Sequence, residues 1–304
     1  MTDAPAQGPG GLEVRRVEVD GLDLRLALAP PLTGGRSLLL LPGRTEFLEK
    51  YEDVFAELRR RGFRVASLDW RGQGASSRLL ADPRRGHIDD FRSFQRDLDA
   101  LLALAAEALP RPWTALAHSM GALILMERLV AAPHTVERAV FSAPVFGIAM
   151  DPLARRVAPT LAAGACRLGL AGRWAPGQGP APLAGDEPVG NVLTSDHARF
   201  RLYRARCRAN AEKMLGGVTY GWLNAAFAAM RRLAAPGALE AVTTPALILE
   251  AGHERVVDPA AIDRVAARLP HARCLALPGA EHELMMERDG VRDRVFDAID
   301  GFAA

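Results

Sequence analysis

Ser37-Leu38-Leu39-Leu40-Leu41 opens a series of short apolar runs that constrain the fold more than any other feature of this chain. A strand that is apolar at consecutive rather than alternating positions is buried on both faces, as in the middle of a parallel sheet. Similar runs recur at 64–68, 113–117, 139–141, 246–249 and 274–277. Helical spacing of apolar residues fills most of the gaps, at 51–61, 91–108, 122–130 and 259–269. Strands alternating with helices predict a mostly parallel, doubly wound α/β sheet, with its functional loops at the carboxyl ends of the strands.

Two stretches depart from the alternation. Near the start, Val14, Val17 and Val19 are followed by Leu22, Leu24, Leu26 and Leu28 across Asp20-Gly21, a dipeptide suited to a tight hairpin. An antiparallel pair is expected there, preceded by a flexible tail over residues 1–11. Between about 144 and 235 the strands stop, and helical pieces at 152–168, 196–215 and 220–233 surround a loop at 174–189 rich in Pro, Gly and Ala. We expect residues 144–235 to be a helical cap inserted into a core made of 12–143 and 236–304.

The sharpest chemical signal is Ala117-His118-Ser119-Met120-Gly121. A buried run feeds Ser119 and good helix formers (Leu123, Leu125, Met126, Leu129) leave it, so the serine reads as the tip of a strand-to-helix turn. Such a turn lifts Oγ out of the sheet, and the helix N-terminus favours developing negative charge. The usual pattern is G-x-S-x-G, and Ala117 replaces its first glycine at the cost of one methyl in a crowded place.

A serine hydroxyl needs a histidine to take its proton and a carboxylate to orient that histidine. His282 lies in the loop after the last strand run, where such a base is expected, while His253, His271 and His118 are less well placed. For the acid, Glu254 and Asp258 both lie in the loop after 246–249. Asp258 precedes Pro259 and an apolar helical pattern, which suits a helix N-cap, so Glu254 is preferred and Asp258 is the alternative.

With these residues in place the chain resembles the α/β-hydrolase superfamily and, within it, the bacterial lysophospholipase and monoacylglycerol-lipase-like serine hydrolases. The resemblance covers nearly the whole chain. It rests on Leu41-Pro42-Gly43-Arg44-Thr45-Glu46 with Lys50-Tyr51, on Asp69-Trp70-Arg71-Gly72-Gln73-Gly74-Ala75-Ser76, on the serine turn, on Arg255-Val256-Val257 and on Gly279-Ala280-Glu281-His282-Glu283. It implies the α/β-hydrolase fold with an inserted helical cap, and a hydrolase of acyl glycerols or lysophospholipid-like esters. By the same resemblance Ser119 is the nucleophile, His282 the base and Glu254 the acid, with the backbone N–H groups of Arg44 and Met120 as oxyanion hole. The chain departs from the family pattern at Ala117 for glycine, at Pro42 where many relatives have histidine, and at Glu254 for aspartate. Amide, peptide or thioester hydrolysis and a catalytically silent scaffold of the same fold are the alternatives.

The loop 69–77 is expected to hold the rim by turn chemistry and ion pairs rather than to touch substrate. In the cap, Phe200, Tyr203, Trp222, Leu223 and Phe227 are candidates to line an acyl pocket. Arg199, Arg201, Arg204, Arg206 and Arg208 form a basic cluster; Arg201, Arg204 and Arg208 fall on one helix face, suited to a phosphate head group or a peripheral membrane contact, against the plainer reading of a solvated face.

Charge excludes one class of partner. The 38 basic and 36 acidic residues leave a formal charge of +2, too even for a nucleic-acid binder, and nearly all the positive charge is arginine, only Lys50 and Lys213 being lysines. Cys166, Cys207 and Cys274 are scattered and odd in number, so they read as reduced, buried packing residues rather than a disulfide framework or zinc site. No metal-ligand cluster is visible and no cofactor is expected. The N-terminus lacks a signal-peptide core and no run of about 18 apolar residues occurs, which makes the cytoplasm the expected location.

Overall fold

The computed structural model describes residues 6–8, 11–29, 35–181, 185 and 187–304. Among them nine strands form one sheet: β1 (Ala6–Gln7), β2 (Glu13–Val19), β3 (Leu22–Leu28), β4 (Arg36–Leu41), β5 (Phe63–Asp69), β6 (Trp113–His118), β7 (Arg138–Ser142), β8 (Ala246–Ala251) and β9 (Ala272–Leu277). Their spatial order is β1-β2-β3-β5-β4-β6-β7-β8-β9, antiparallel through the β3–β5 pair and parallel from β5 onward. The β2–β3 hairpin turns at Asp20 and Gly21, both at positive φ (56° and 74°), the geometry a two-residue hairpin demands.

The consecutive leucines of β4 serve two cores at once. Leu39 and Leu41 point to one face of the sheet, packed by α2 (Ser93–Ala108), α3 (Met120–Ala131), α6 (Tyr220–Ala234) and α7 (Pro259–Ala266). Leu38 and Leu40 point to the other, packed by α1 (Glu52–Arg60) and α8 (Asp289–Ala303). Each such leucine contributes roughly 1.5–3 kcal/mol of burial, and the double burial explains why these strands show no alternation. α8 went unpredicted, although Val295, Phe296 and Ile299 bury one face of it.

Between β7 and β8 lie α4 (Pro152–Arg167), α5 (His197–Ala209) and α6. α4 starts where Asp151 accepts from the N–H groups of Leu153 and Ala154, with Pro152 at its first turn; α5 starts on Asp196, which caps Ala198 and Arg199. α6 differs from the other two, because Trp222, Ala225, Ala226, Ala229 and Leu233 join the main core and the helix packs on α3. α6 also packs on α4, more extensively than on α3, so it joins the inserted helices to the core.

Two expectations are corrected. Ala6–Gln7 pair with β2, so the start of the chain is partly sheet edge; residues 1–5, 9 and 10 lie outside the described residues. Of the cysteines only Cys207 is buried, while Cys274 on the edge strand β9 is exposed and Cys166 is intermediate. No helix among the described residues is long and apolar enough to cross a membrane.

Candidate active site

β6 ends at His118 and α3 begins at Met120, leaving Ser119 alone to make the turn, at φ 49° and ψ −111°. That conformation is strained for a residue with a side chain. Gly121 makes the turn sterically feasible, since a Cβ there would stand 2.4 Å from the Leu41 carbonyl oxygen and 2.6 Å from that of Pro42. Ala117 is fully buried in the main core, where its methyl is accommodated.

Ser119 Oγ lies 3.0 Å from His282 Nε2, and His282 Nδ1 lies 2.8 Å from Glu254 Oε2. The other oxygen of Glu254 accepts from the N–H groups of Val256 (2.7 Å) and Val257 (3.1 Å), so the carboxylate is fixed before it meets the histidine. Burial raises its pKa, but the hydrogen bond and charge of His282 and those two N–H groups outweigh burial and leave it below the usual carboxylate range. Asp258 caps α7 through Ala260 N and is ion-paired with Arg155 and Arg264. A histidine held in this way can take a proton from the hydroxyl while the carboxylate keeps Nδ1–H turned away.

The loop carrying Arg44 is held from three sides. Gln73 accepts from Thr45 N at 2.7 Å and donates to Gly43 O at 3.4 Å, spanning Arg44; Trp70 Nε1 donates to Pro42 O at 2.8 Å; Glu46 accepts from Gly43 N. Gln73 and Trp70 in turn sit on a turn built around buried Asp69, which accepts from Leu48 N and Ala75 N and pairs with Arg25. A Cβ on Gly74 would fall 2.2 Å from Asp69 Cγ, which is why this turn needs glycine. The 69–77 loop thus holds the Arg44 loop. Gln73 was missed as an individual residue, and only its place in the motif signalled it.

Beside the serine lies a buried charged cluster. Lys50 Nζ bridges Glu46 and Glu283 (2.6 Å to the latter), Tyr51 donates to Glu46, and His118 Nε2 is 3.4 Å from Glu283. His118 Nδ1 bonds the Ser142 carbonyl at 3.1 Å, and its ring packs 4.9 Å from that of His282. Burial lowers the pKa of His118, but Glu283 and Glu46 outweigh it and hold the imidazole above its ordinary value. Burial raises Glu283, yet Lys50 and His118 pull it well below the carboxylate range. Glu46, His118 and Glu283 bring three ligand-type groups within 4.8 Å of one another, a cluster not visible in the sequence. The Lys50 ammonium already supplies the cation between the two carboxylates.

Ser119, His282, Arg44 and Met120 open into a cavity of about 740 Å³. Its walls are mostly aliphatic, and one comes from α4, whose Ala154, Val157, Ala158, Leu161 and Ala162 face inward at helical spacing. Of the proposed cap lining, Tyr203, Trp222 and Leu223 reach the cavity. Phe200 is instead buried with Phe47 and Cys207 in a small separate cluster, and Phe227 does not line the space. The cap arginines do not line it either. Arg201 and Arg208 are exposed while Arg204 is buried, so the three do not share one solvent face; Arg199 pairs with Asp196 and Asp289, and Arg206 with Glu52 and Asp53.

A family model described as serine aminopeptidase, S33, matches residues 35–289. The chain is 35% identical over 304 residues to lysophospholipase L2 of Escherichia coli strain K12, covering 93% of this chain and 85% of that protein. It is 32% identical over 289 residues to the probable lysophospholipase L2 of Haemophilus influenzae, covering 92% and 88%. In fold it is similar to a soluble variant of monoglyceride lipase from Saccharomyces cerevisiae, at a TM-score of 0.76 and 18% identity, over 100% of this chain and 98% of that one. Strand order, serine turn and sequence agree: the chain belongs to the serine aminopeptidase S33 family of α/β-hydrolases.

Proposed function

We propose that this protein is a metal-independent serine hydrolase of carboxylic esters that acts on a lysophospholipid or monoacylglycerol. Ser119 Oγ attacks the acyl carbonyl as His282 Nε2 takes its proton, with Glu254 holding the ring and stabilising the imidazolium. The backbone N–H groups of Arg44 and Met120 receive the oxyanion. Collapse of the tetrahedral species expels the glycerol-side alkoxide, which takes the proton from His282. Water, deprotonated by the same nitrogen, then releases the fatty acid and regenerates Ser119.

The observation that carries this reading is the hydrogen-bonded chain Ser119–His282–Glu254 opening into an aliphatic cavity large enough for an acyl chain. Relatives named lysophospholipase L2 support the substrate class. Aminopeptidase action would need a carboxylate free to meet a substrate ammonium. The acids around the cavity are committed instead, Glu46 and Glu283 to Lys50 and Asp151 to the start of α4. We place the enzyme in the cytoplasm, where it would meet lipid at a membrane surface. A substrate panel crossing acyl length with glycerol, phosphoglycerol and aminoacyl-amide leaving groups tests the reading. Ester turnover is expected, and turnover of the amides alone would overturn it.

A further inference from the structure

Arg44 stands apart from the other charged groups around the cavity. Lys50 answers Glu46 and Glu283, and Arg255 pairs with Glu281 at 2.8 Å. Among the described residues Arg44 has no ion pair with any carboxylate: its Nη1 donates to Gly216 O at 2.9 Å, and its guanidinium carbon lies 5.7 Å from the Trp222 ring centroid. The slot that holds it is built from glycine. A Cβ on Gly86 would stand 2.8 Å from Nη1, and Gly86 N itself bonds Gly217 O at 3.1 Å. Arg44 is half-buried and is one of the residues that line the cavity. Burial pushes its pKa down to about 10, with the Tyr203 phenol opposing, so it remains charged at neutral pH.

A guanidinium carried by a residue that lines a mostly apolar cavity, without a counter-charge, favours a ligand that brings one, and its planar fork suits phosphate oxygens. The position selects which part of the ligand that is. The N–H of the same residue is assigned to the oxyanion, so the guanidinium lies one arginine side chain from the attacked carbonyl, comparable to the length of glycerol between an ester and a phosphate.

Resting on the ester-hydrolase reading above, we propose that the Arg44 side chain selects the leaving group, binding the phosphodiester anion of a lysophospholipid and making a neutral monoacylglycerol the poorer substrate.

The test compares wild type, Arg44→Gln and Arg44→Lys on 1-palmitoyl lysophosphatidylethanolamine and monopalmitoylglycerol, both presented in the same neutral detergent micelles. The readout is the ratio of the two kcat/KM values, in which any loss from a disturbed oxyanion loop cancels. Arg44→Gln should lower that ratio by about tenfold or more, mainly through KM for the phospholipid, and Arg44→Lys by less. A ratio within about twofold of wild type in Arg44→Gln would overturn the proposal while leaving ester hydrolysis standing. A wild type that hydrolyses neither lipid would overturn the underlying reading and this one with it. Inorganic phosphate is included as a competitor. Strong inhibition of both substrates that Arg44→Gln relieves would assign the slot to the free anion and also overturn the proposal.

Discussion

Gly121 approaches Leu41 so closely that a Cβ on it would stand 2.4 Å from the leucine's carbonyl oxygen. The start of α3 is thereby pressed against the end of β4, and Ser119 is held at φ 49° between them. Gly121→Ala should therefore cost more than the helix propensity of the residue suggests, with a large loss of soluble protein or of turnover. Ala117→Gly, at a position where the methyl already packs, should lose about 1 kcal/mol and keep its activity. Urea unfolding of both variants separates the two effects; equal tolerance would contradict the close approach.

Glu254→Gln should lower kcat by about two orders of magnitude or more, because the amide no longer stabilises the imidazolium. Asp258→Asn should be mild, since asparagine also caps α7. Steady-state kinetics of the two variants on one ester check this, and the reverse pattern would move the acid to Asp258.

Lys50→Met leaves Glu46 and Glu283 buried without their cation, and should destabilise the fold by about 3–5 kcal/mol. Adding Glu283→Gln should recover part of that loss, as coupled neighbours do. Denaturant midpoints of the single and double variants measure it. EDTA should leave turnover unchanged, because the ammonium already occupies the space between the carboxylates.

His118 gives a pH dependence of stability. Its folded pKa is raised by Glu283 and Glu46, so its contribution is fully present below the ordinary histidine value and is lost as pH rises through the raised one. Thermal unfolding between pH 6 and about pH 9 should show the melting temperature of wild type falling toward that of His118→Gln as pH rises. A difference that grows with pH would contradict the sign.

Much of this was legible because the chemistry demands rare local sequences. The double-sided burial of Leu38 to Leu41, the turn at Ser119 and the capping role of Asp258 each leave a mark in a few adjacent residues. The cap was read less well, because its aromatics and arginines have no short pattern that says which way they face. Phe200 turns into its own cluster, and a wall of the cavity comes from Val157 and Leu161 on α4. The cluster of Glu46, Lys50, His118 and Glu283 joins Lys50 to Glu283 across 233 residues of chain, which no local pattern reveals.

The most direct test of the central claim is the turnover of Ser119→Ala on palmitoyl lysophosphatidylethanolamine, measured beside its melting temperature. Loss of the hydroxyl should lower kcat by about three orders of magnitude or more with the melting temperature little changed. Turnover above about a tenth of wild type in a folded variant would contradict a serine mechanism at this site.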